Sequence, residues 1–321
     1  MKEMTFFKII SVRIFMGAFM TTVTYASDFQ PTYEELARTK MVHTLTQEQL
    51  QKKFLETSAG TIAYYETSGT GETLFLIHGN STSKEYMLRQ LDALGTTYKM
   101  IAVDLPGHGE SENARDPDAA YTLGGYARVC GEFIEKLNLP PVIVVGWSLG
   151  GHIAIEMMAQ NPGLLRGTLI ACAPPFTPSE EGLKEAYLPT YSTPLSMKME
   201  PFTLEDVKSY ITQGFMDFEA HPLLAQAAMR AHGLARHTMC TAVLEGKGVD
   251  EREVVKTSTV PLGILMAKGE HAINNAYTAS LNYANCVMME TIDGPHDCQW
   301  THPDAFNEAI VTFVKGLSRK S

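Results

Sequence analysis

One stretch of the chain holds a serine in a setting that chemistry can use: Val142-Ile143-Val144-Val145-Gly146-Trp147-Ser148-Leu149-Gly150-Gly151-His152-Ile153-Ala154-Ile155. An apolar, β-branched run leads into a G-x-S-x-G turn, and a helix-prone run follows. A serine at a tight strand-to-helix turn points its hydroxyl out of the sheet, and small residues at 146 and 150 let two backbones pass closely. The helix start adds backbone N–H groups suited to developing negative charge. Such a serine is a poor nucleophile alone. It needs a base titrating near neutrality and a group that orients the base.

Ten histidines compete for the role of base. His296 lies in Asp293-Gly294-Pro295-His296-Asp297, just past the last expected strand, and so at the sheet edge that carries Ser148. His78, His108 and His152 also sit near strand ends, but inside turn motifs with structural uses of their own. The orienting carboxylate should follow another strand. After Thr168–Cys172 the chain offers only Ala173-Pro174-Pro175, whereas Ala267-Lys268-Gly269-Glu270-His271 follows the next core strand. Glu270 is therefore the expected acid, with Asp293 and Asp250 as alternatives. Asp297 adjoins the histidine and is expected to point elsewhere. The order Ser148, Glu270, His296 fits nucleophile, acid and base. Two donors must face the oxyanion, and the backbone N–H groups of Leu149 and of Asn80, just past His78-Gly79, are the candidates.

The elements that must position these groups follow from pattern. Thr61–Glu66 alternates as a strand, while Thr73–Ile77, Lys99–Val103, Val142–Trp147, Thr168–Cys172, Val260–Met266 and Cys286–Glu290 read as core strands. Helices are expected near Lys84–Gly95, Tyr121–Leu137 and Pro303–Lys315. Strands alternating with helices imply a mostly parallel sheet of about eight strands, with the site on loops at its C-terminal edge. Residues 174–256 lack a convincing buried strand and are punctuated by prolines, which predicts an inserted helical cap between core segments 54–173 and 257–321. Its flexible and aromatic residues, among them Phe176, Tyr187, Tyr191, Phe215 and Met239, are expected to form mostly the cap's own core.

Taken together, His78-Gly79 after the third strand, Asp104-x-Pro106-Gly107-x-Gly109-x-Ser111 after the fourth, Gly146-x-Ser148-x-Gly150 after the fifth and Gly294-x-His296 after the last resemble the α/β-hydrolase fold superfamily over roughly residues 54–318. The resemblance implies Ser148 as nucleophile, His296 as base, Glu270 as acid, and Asn80 and Leu149 as oxyanion donors. Ala267 stands where a glycine is commoner, and Glu270 is one methylene longer than the usual Asp. A serine rather than an aspartate nucleophile argues against the dehalogenase and epoxide-hydrolase branches. The implied activity is cleavage of carboxylic esters through an acyl-enzyme. Lactone, amide or carbon–carbon hydrolysis and cofactor-free perhydrolysis use the same triad, and a ligand-binding module with a vestigial site is the reading from another class.

Composition narrows the partners. With 45% apolar residues and a net charge of −10 over 321 residues, the chain can bury a large core and is a poor fit to nucleic acid. The scattered histidines and cysteines show no metal-ligand spacing, so neither metal nor cofactor is expected, and the substrate should be a small ester-like molecule. Lys2, Lys8 and Arg13, the short apolar run Ile14–Met20 and Thr24-Tyr25-Ala26 read as a signal peptide spanning 1–26, and the apolar run is too short for an ordinary membrane span. Export is thus expected. Residues 27–53 read as an extension with helix-prone Tyr33–Ala37 and Leu45–Leu50. The five cysteines are too few and too scattered for a disulfide framework.

Overall fold

The computed structural model describes residues 10–12, 23–25, 44–46, 48–190, 193–214 and 221–318. Most of the expected signal peptide and all of Tyr33–Ala37 lie outside them. Within residues 1–39, Ile10–Val12 pairs antiparallel with Val23–Tyr25. Among the described residues no helix is long and apolar enough to cross a membrane.

The sheet is built from eight strands: Leu50–Thr57 (β1), Gly60–Thr67 (β2), Thr73–Ile77 (β3), Lys99–Val103 (β4), Val142–Trp147 (β5), Leu165–Ala171 (β6), Leu262–Ala267 (β7) and Cys286–Ile292 (β8). Their order is β1-β2-β4-β3-β5-β6-β7-β8. The pairs β1–β2 and β2–β4 are antiparallel and the others parallel. The strands β3 and β5 are buried along their whole length, as expected of apolar runs covered on both faces. The sheet starts earlier than expected, at Leu50 inside the presumed extension. Gln51–Lys53 pair with Tyr64–Glu66, and β1 is largely exposed. An edge strand needs no apolar run, and its lysines blunt the open edge, which is why its first residues read as part of an extension.

Helices Leu88–Leu94 (α1), Leu123–Lys136 (α2) and Leu149–Gln160 (α3) are the crossovers between parallel strands. Between β6 and β7, where the cap was expected, the described residues hold no strand of the sheet. Glu180–Ala186 (α4), Leu204–Gly214 (α5), Pro222–Arg230 (α6), Gly233–Leu244 (α7) and Glu251–Thr257 (α8) run there instead. The last helix, Pro303–Ser318 (α9), ends three residues beyond the expected limit. Helix α3 packs on α2 and α8, and α9 packs on α1. These groups cover opposite faces of the sheet: Ile170 of β6 meets α3 at Gly151, whereas Gly167, an odd number of residues away, meets Phe313 and Leu317 of α9.

Backbones approach closely at the β5–α3 turn. A Cβ on Gly146 would lie 2.2 Å from the carbonyl oxygen of Gly150, and one on Gly150 would lie 2.2 Å from that of Ile77, at the end of β3. Both obstacles are main chain and cannot rotate away. Gly150→Ala is therefore expected to cost about 2 kcal/mol or more and to lower the thermal midpoint by several degrees in a melting experiment. An unshifted midpoint would show that the turn has room the structure does not give it.

Candidate active site

The turn after β5 holds Ser148 at φ 53° and ψ −119°, in the left-handed region that a non-glycine residue enters at a cost of about 1–3 kcal/mol. The backbone is held there by Ser148 N–H donating to the Ala171 carbonyl (2.8 Å) and by Gly151 N–H donating to the Ser148 carbonyl (2.8 Å). The hydroxyl is thereby lifted off the sheet. His296 arrives on the loop after β8, its backbone carbonyl fixed by Trp147 Nε1–H at 2.8 Å. Its Nε2 lies 3.0 Å from Ser148 Oγ, and its Nδ1 lies 2.6 Å from Glu270 Oε2.

Glu270 is anchored from its other side. Its Oε1 accepts the N–H groups of His271 (2.9 Å) and Ala272 (2.8 Å). The extra methylene lets the carboxylate fold back on its own loop while still reaching the imidazole. The two alternatives are elsewhere: Asp250 caps α8, accepting from the N–H groups of Arg252 and Glu253, and the Asp293 side chain is 89% exposed beside Lys268. Asp297 does point away from the site, accepting from Tyr86 Oη at 3.0 Å.

Electrostatics poise the pair. Burial alone would lower the His296 imidazole, but the Glu270 charge and hydrogen bond outweigh it, and the net shift is upward from 6.5. Burial would raise Glu270, but His296 and the two loop N–H groups hold its carboxyl below the usual range. The structure also brings Cys172 close: its sulfur and the nearest Glu270 and His296 ligand atoms lie within 4.8 Å of one another. A hydrogen bond with Cys298 and burial push the Cys172 thiol well above its usual range.

Asn80 and Leu149 both line the pocket with Ser148. Leu149 opens α3, so its N–H has no carbonyl within the helix. Asn80 follows Gly79, where a Cβ would sit 3.3 Å from that of Ser148. Tyr210 of α5 donates to the Asn80 carbonyl at 3.0 Å, a tie that no pattern in the sequence announces. The pocket encloses about 1090 Å³ of empty space, its open mouth included. Apolar side chains such as Leu123, Leu183, Val243 and Leu244 dominate its wall. Phe176, Tyr187 and Met239 also face it rather than serving only the insertion's own core, while Tyr191 and Phe215 lie outside the described residues. A second histidine–carboxylate pair, His152 with Glu251, stands behind Tyr187. His152 was set aside with the turn histidines, and only its place one helical turn past Ser148 hinted at the pocket.

The sheet order, the insertion after β6 and the strand–elbow–helix unit with histidine and carboxylate on later strand ends together define the α/β-hydrolase fold. A profile of the alpha/beta hydrolase family matches residues 74–309, and the chain belongs to that family. Its structure is similar to the crystal structure of the N-acyl homoserine lactonase AidH complexed with N-butanoyl homoserine, with 32% identity, a TM-score of 0.77, and coverage of 83% of this chain and 97% of that one. It is 23% identical to a putative non-heme chloroperoxidase of Synechocystis sp. over 81% of this chain and 97% of that protein. It is 35% identical to the (E)-2-((N-methylformamido)methylene)succinate hydrolase of Acinetobacter baylyi over 36% of this chain and 42% of the hydrolase. The chain thus spans less than half the length of the first curated relatives it matches.

A base that must be unprotonated works better as pH rises. With His296 shifted upward, the acid limb of kcat/KM is expected to have its midpoint above 6.5. Glu270→Gln removes the charge that raises it, so the midpoint should move down and kcat should fall by about 10³–10⁴. A pH–rate profile of both proteins checks this, and an unmoved midpoint would separate Glu270 from the base.

Proposed function

We propose that the protein is a serine hydrolase that cleaves carboxylic esters through an acyl-enzyme. The observation that carries this reading is the unbroken chain Ser148–His296–Glu270, at 3.0 and 2.6 Å, opening on a mostly apolar pocket. His296 Nε2 takes the Ser148 proton as Oγ attacks the ester carbonyl. The backbone N–H groups of Leu149 and Asn80 receive the oxyanion. The imidazolium, held by Glu270, protonates the leaving alkoxide. Water, deprotonated by the same histidine, then releases the acid and restores the serine.

A cyclic ester follows the same steps, its alkoxide staying tethered to the product. Lactone cleavage is favoured as the second reading by the likeness, at 32% identity over 83% of the chain, to the N-acyl homoserine lactonase AidH. The helical insertion acts in either case as the cap that selects the acyl group. Export rests on residues 1–26, and N-terminal sequencing of protein recovered from the cell envelope is expected to start at Ser27. An intact Met1 in the soluble intracellular fraction would remove it.

The central test is a panel of esters and lactones of graded acyl length, run on wild type and Ser148→Ala. Wild type is expected to turn over at least one series and to be labelled on Ser148 by a fluorophosphonate, and Ser148→Ala to lose about 10⁴–10⁶ of the rate. Turnover that survives in Ser148→Ala would overturn the reading.

A further inference from the structure

The turn Gly79-Asn80-Ser81 after β3 is gripped from two sides. The core grips its first peptide. Thr82 Oγ1–H donates to the Gly79 carbonyl at 2.8 Å. Leu105 N–H donates to His78 Nε2 at 3.0 Å, which leaves the imidazole proton on Nδ1, 2.7 Å from the same carbonyl. His78 and Thr82 are both buried. A trans peptide is planar, so fixing the Gly79 carbonyl also fixes the Asn80 N–H on its opposite edge.

The helical insertion grips the second peptide. Its carbonyl, that of Asn80, accepts from Tyr210 Oη–H at 3.0 Å, across 130 residues of sequence. Burial pushes the Tyr210 phenol up to about 12, so it remains a donor at neutral pH. Its ring packs at 5.5 Å on Phe202, over which the Arg236 guanidinium lies at 3.8 Å. Arg236 is fully buried and donates to the carbonyls of Lys198, Glu200 and Ala231. The phenol is thus fixed to the frame of the insertion. What it holds is a strained joint. Ser81, next in the chain, stands at φ 53°, in the left-handed region that a non-glycine residue enters only at a cost. Turning the Asn80–Ser81 peptide over would carry Ser81 to a relaxed, negative φ and swing residue 80 with it. The hydrogen bond from Tyr210 opposes that turn.

We propose that Tyr210 is a positioning residue for the chemical step: by holding the Asn80 carbonyl it keeps the turn in the conformation whose Asn80 N–H faces the oxyanion formed at Ser148. The insertion then governs rate as well as access, because the donor is in place only while α5 is seated on the turn. Tyr210 also lines the pocket, so direct contact with substrate is the competing account. The two differ in what they predict. A positioning role acts where the oxyanion forms, in the transition state, whereas a substrate contact acts on binding as well. The proposal rests on the ester-cleaving reading, and the experiment separates the failure of one from the failure of the other.

The test uses the full chain and the ester or lactone that wild type turns over fastest. Tyr210→Phe keeps the ring against Phe202 and removes the donor. Its kcat is expected to fall by about 10–100-fold, less than the loss of an oxyanion donor outright, with KM within about twofold. Hexyl trifluoromethyl ketone, whose adduct with Ser148 carries an oxyanion, should bind more weakly by a similar factor. In a Ser148→Ala background no adduct forms, and there Tyr210→Phe should leave the affinity for the ketone unchanged, which also verifies that the pocket is folded. Ser81→Gly takes φ 53° without strain, so adding it to Tyr210→Phe should recover about threefold or more in kcat. An unchanged kcat in Tyr210→Phe, a loss of ketone affinity in the Ser148→Ala background, or a fall in kcat that Ser81→Gly does not recover would overturn the role of Tyr210. A wild type that turns over no ester or lactone and forms no ketone adduct would instead sink the ester reading, and the proposal with it.

Discussion

The site depends on one close crossing of backbones. At the end of β5 the chain must reverse into α3 while passing the end of β3, and Gly146 and Gly150 meet main-chain oxygens at distances no side chain tolerates. That crossing does two things at once. It forces Ser148 into a left-handed conformation that lifts its hydroxyl off the sheet, and it brings the turn after β3, with Gly79 and Asn80, against the serine. The strain at Ser148, about 1–3 kcal/mol, is offset locally by the hydrogen bonds of its N–H and carbonyl. The geometry of the serine and the packing of the turn are therefore one constraint here, and relaxing either would lose both.

What the crossing leaves open is the partner of the Ser148 hydroxyl, and parallel topology brings that partner in. The loops after β7 and β8 emerge at the same edge as the elbow because the strands between them run parallel. Glu270 and His296 come from those two loops. Trp147, the residue before the serine, donates to the His296 carbonyl, so the elbow itself helps hold the loop that serves it. The carboxylate needs no cation: two loop N–H groups and the imidazole occupy it.

The sequence was legible where local pattern and topology agree. Buried runs such as Val142–Trp147 read as strands because both faces are covered. The turn after β5 is marked by small residues whose spacing the crossing dictates. Ser148, His296 and Glu270 fall into one hydrogen-bonded chain because chain order and strand direction together leave few other choices. The edge strand β1 was illegible because exposure removes the apolar signal. The Tyr210–Asn80 and His152–Glu251 contacts were illegible for another reason. Each joins the insertion to the core or to the elbow helix across long sequence separations, and hydrogen bonds of that kind depend on where short helices settle rather than on any periodicity. The pocket-facing residues of the insertion share this limit: Phe176 and Met239 have the composition of a core whether they cover their own helices or a substrate.

Two histidine–glutamate pairs thus face one pocket, and residue type does not tell them apart. His296 presents its second nitrogen to a serine held in a strained, exposed turn, whereas His152 presents its own to a phenol. A serine hydroxyl is a feeble acid that becomes a nucleophile only as its proton leaves, so the imidazole beside it must be ready to accept. Its upward-shifted basicity, set by a carboxylate kept ionised by loop N–H groups, suits that task. The Tyr187 hydroxyl already has its hydrogen bond with the His152 imidazole in the resting state. What the His152–Glu251 pair adds there is a fixed place for the phenol. The same pair of side-chain types therefore stands against a serine in one place and a phenol in the other, and the difference lies in the backbone: a strained elbow under the serine, an ordinary helix end under the tyrosine.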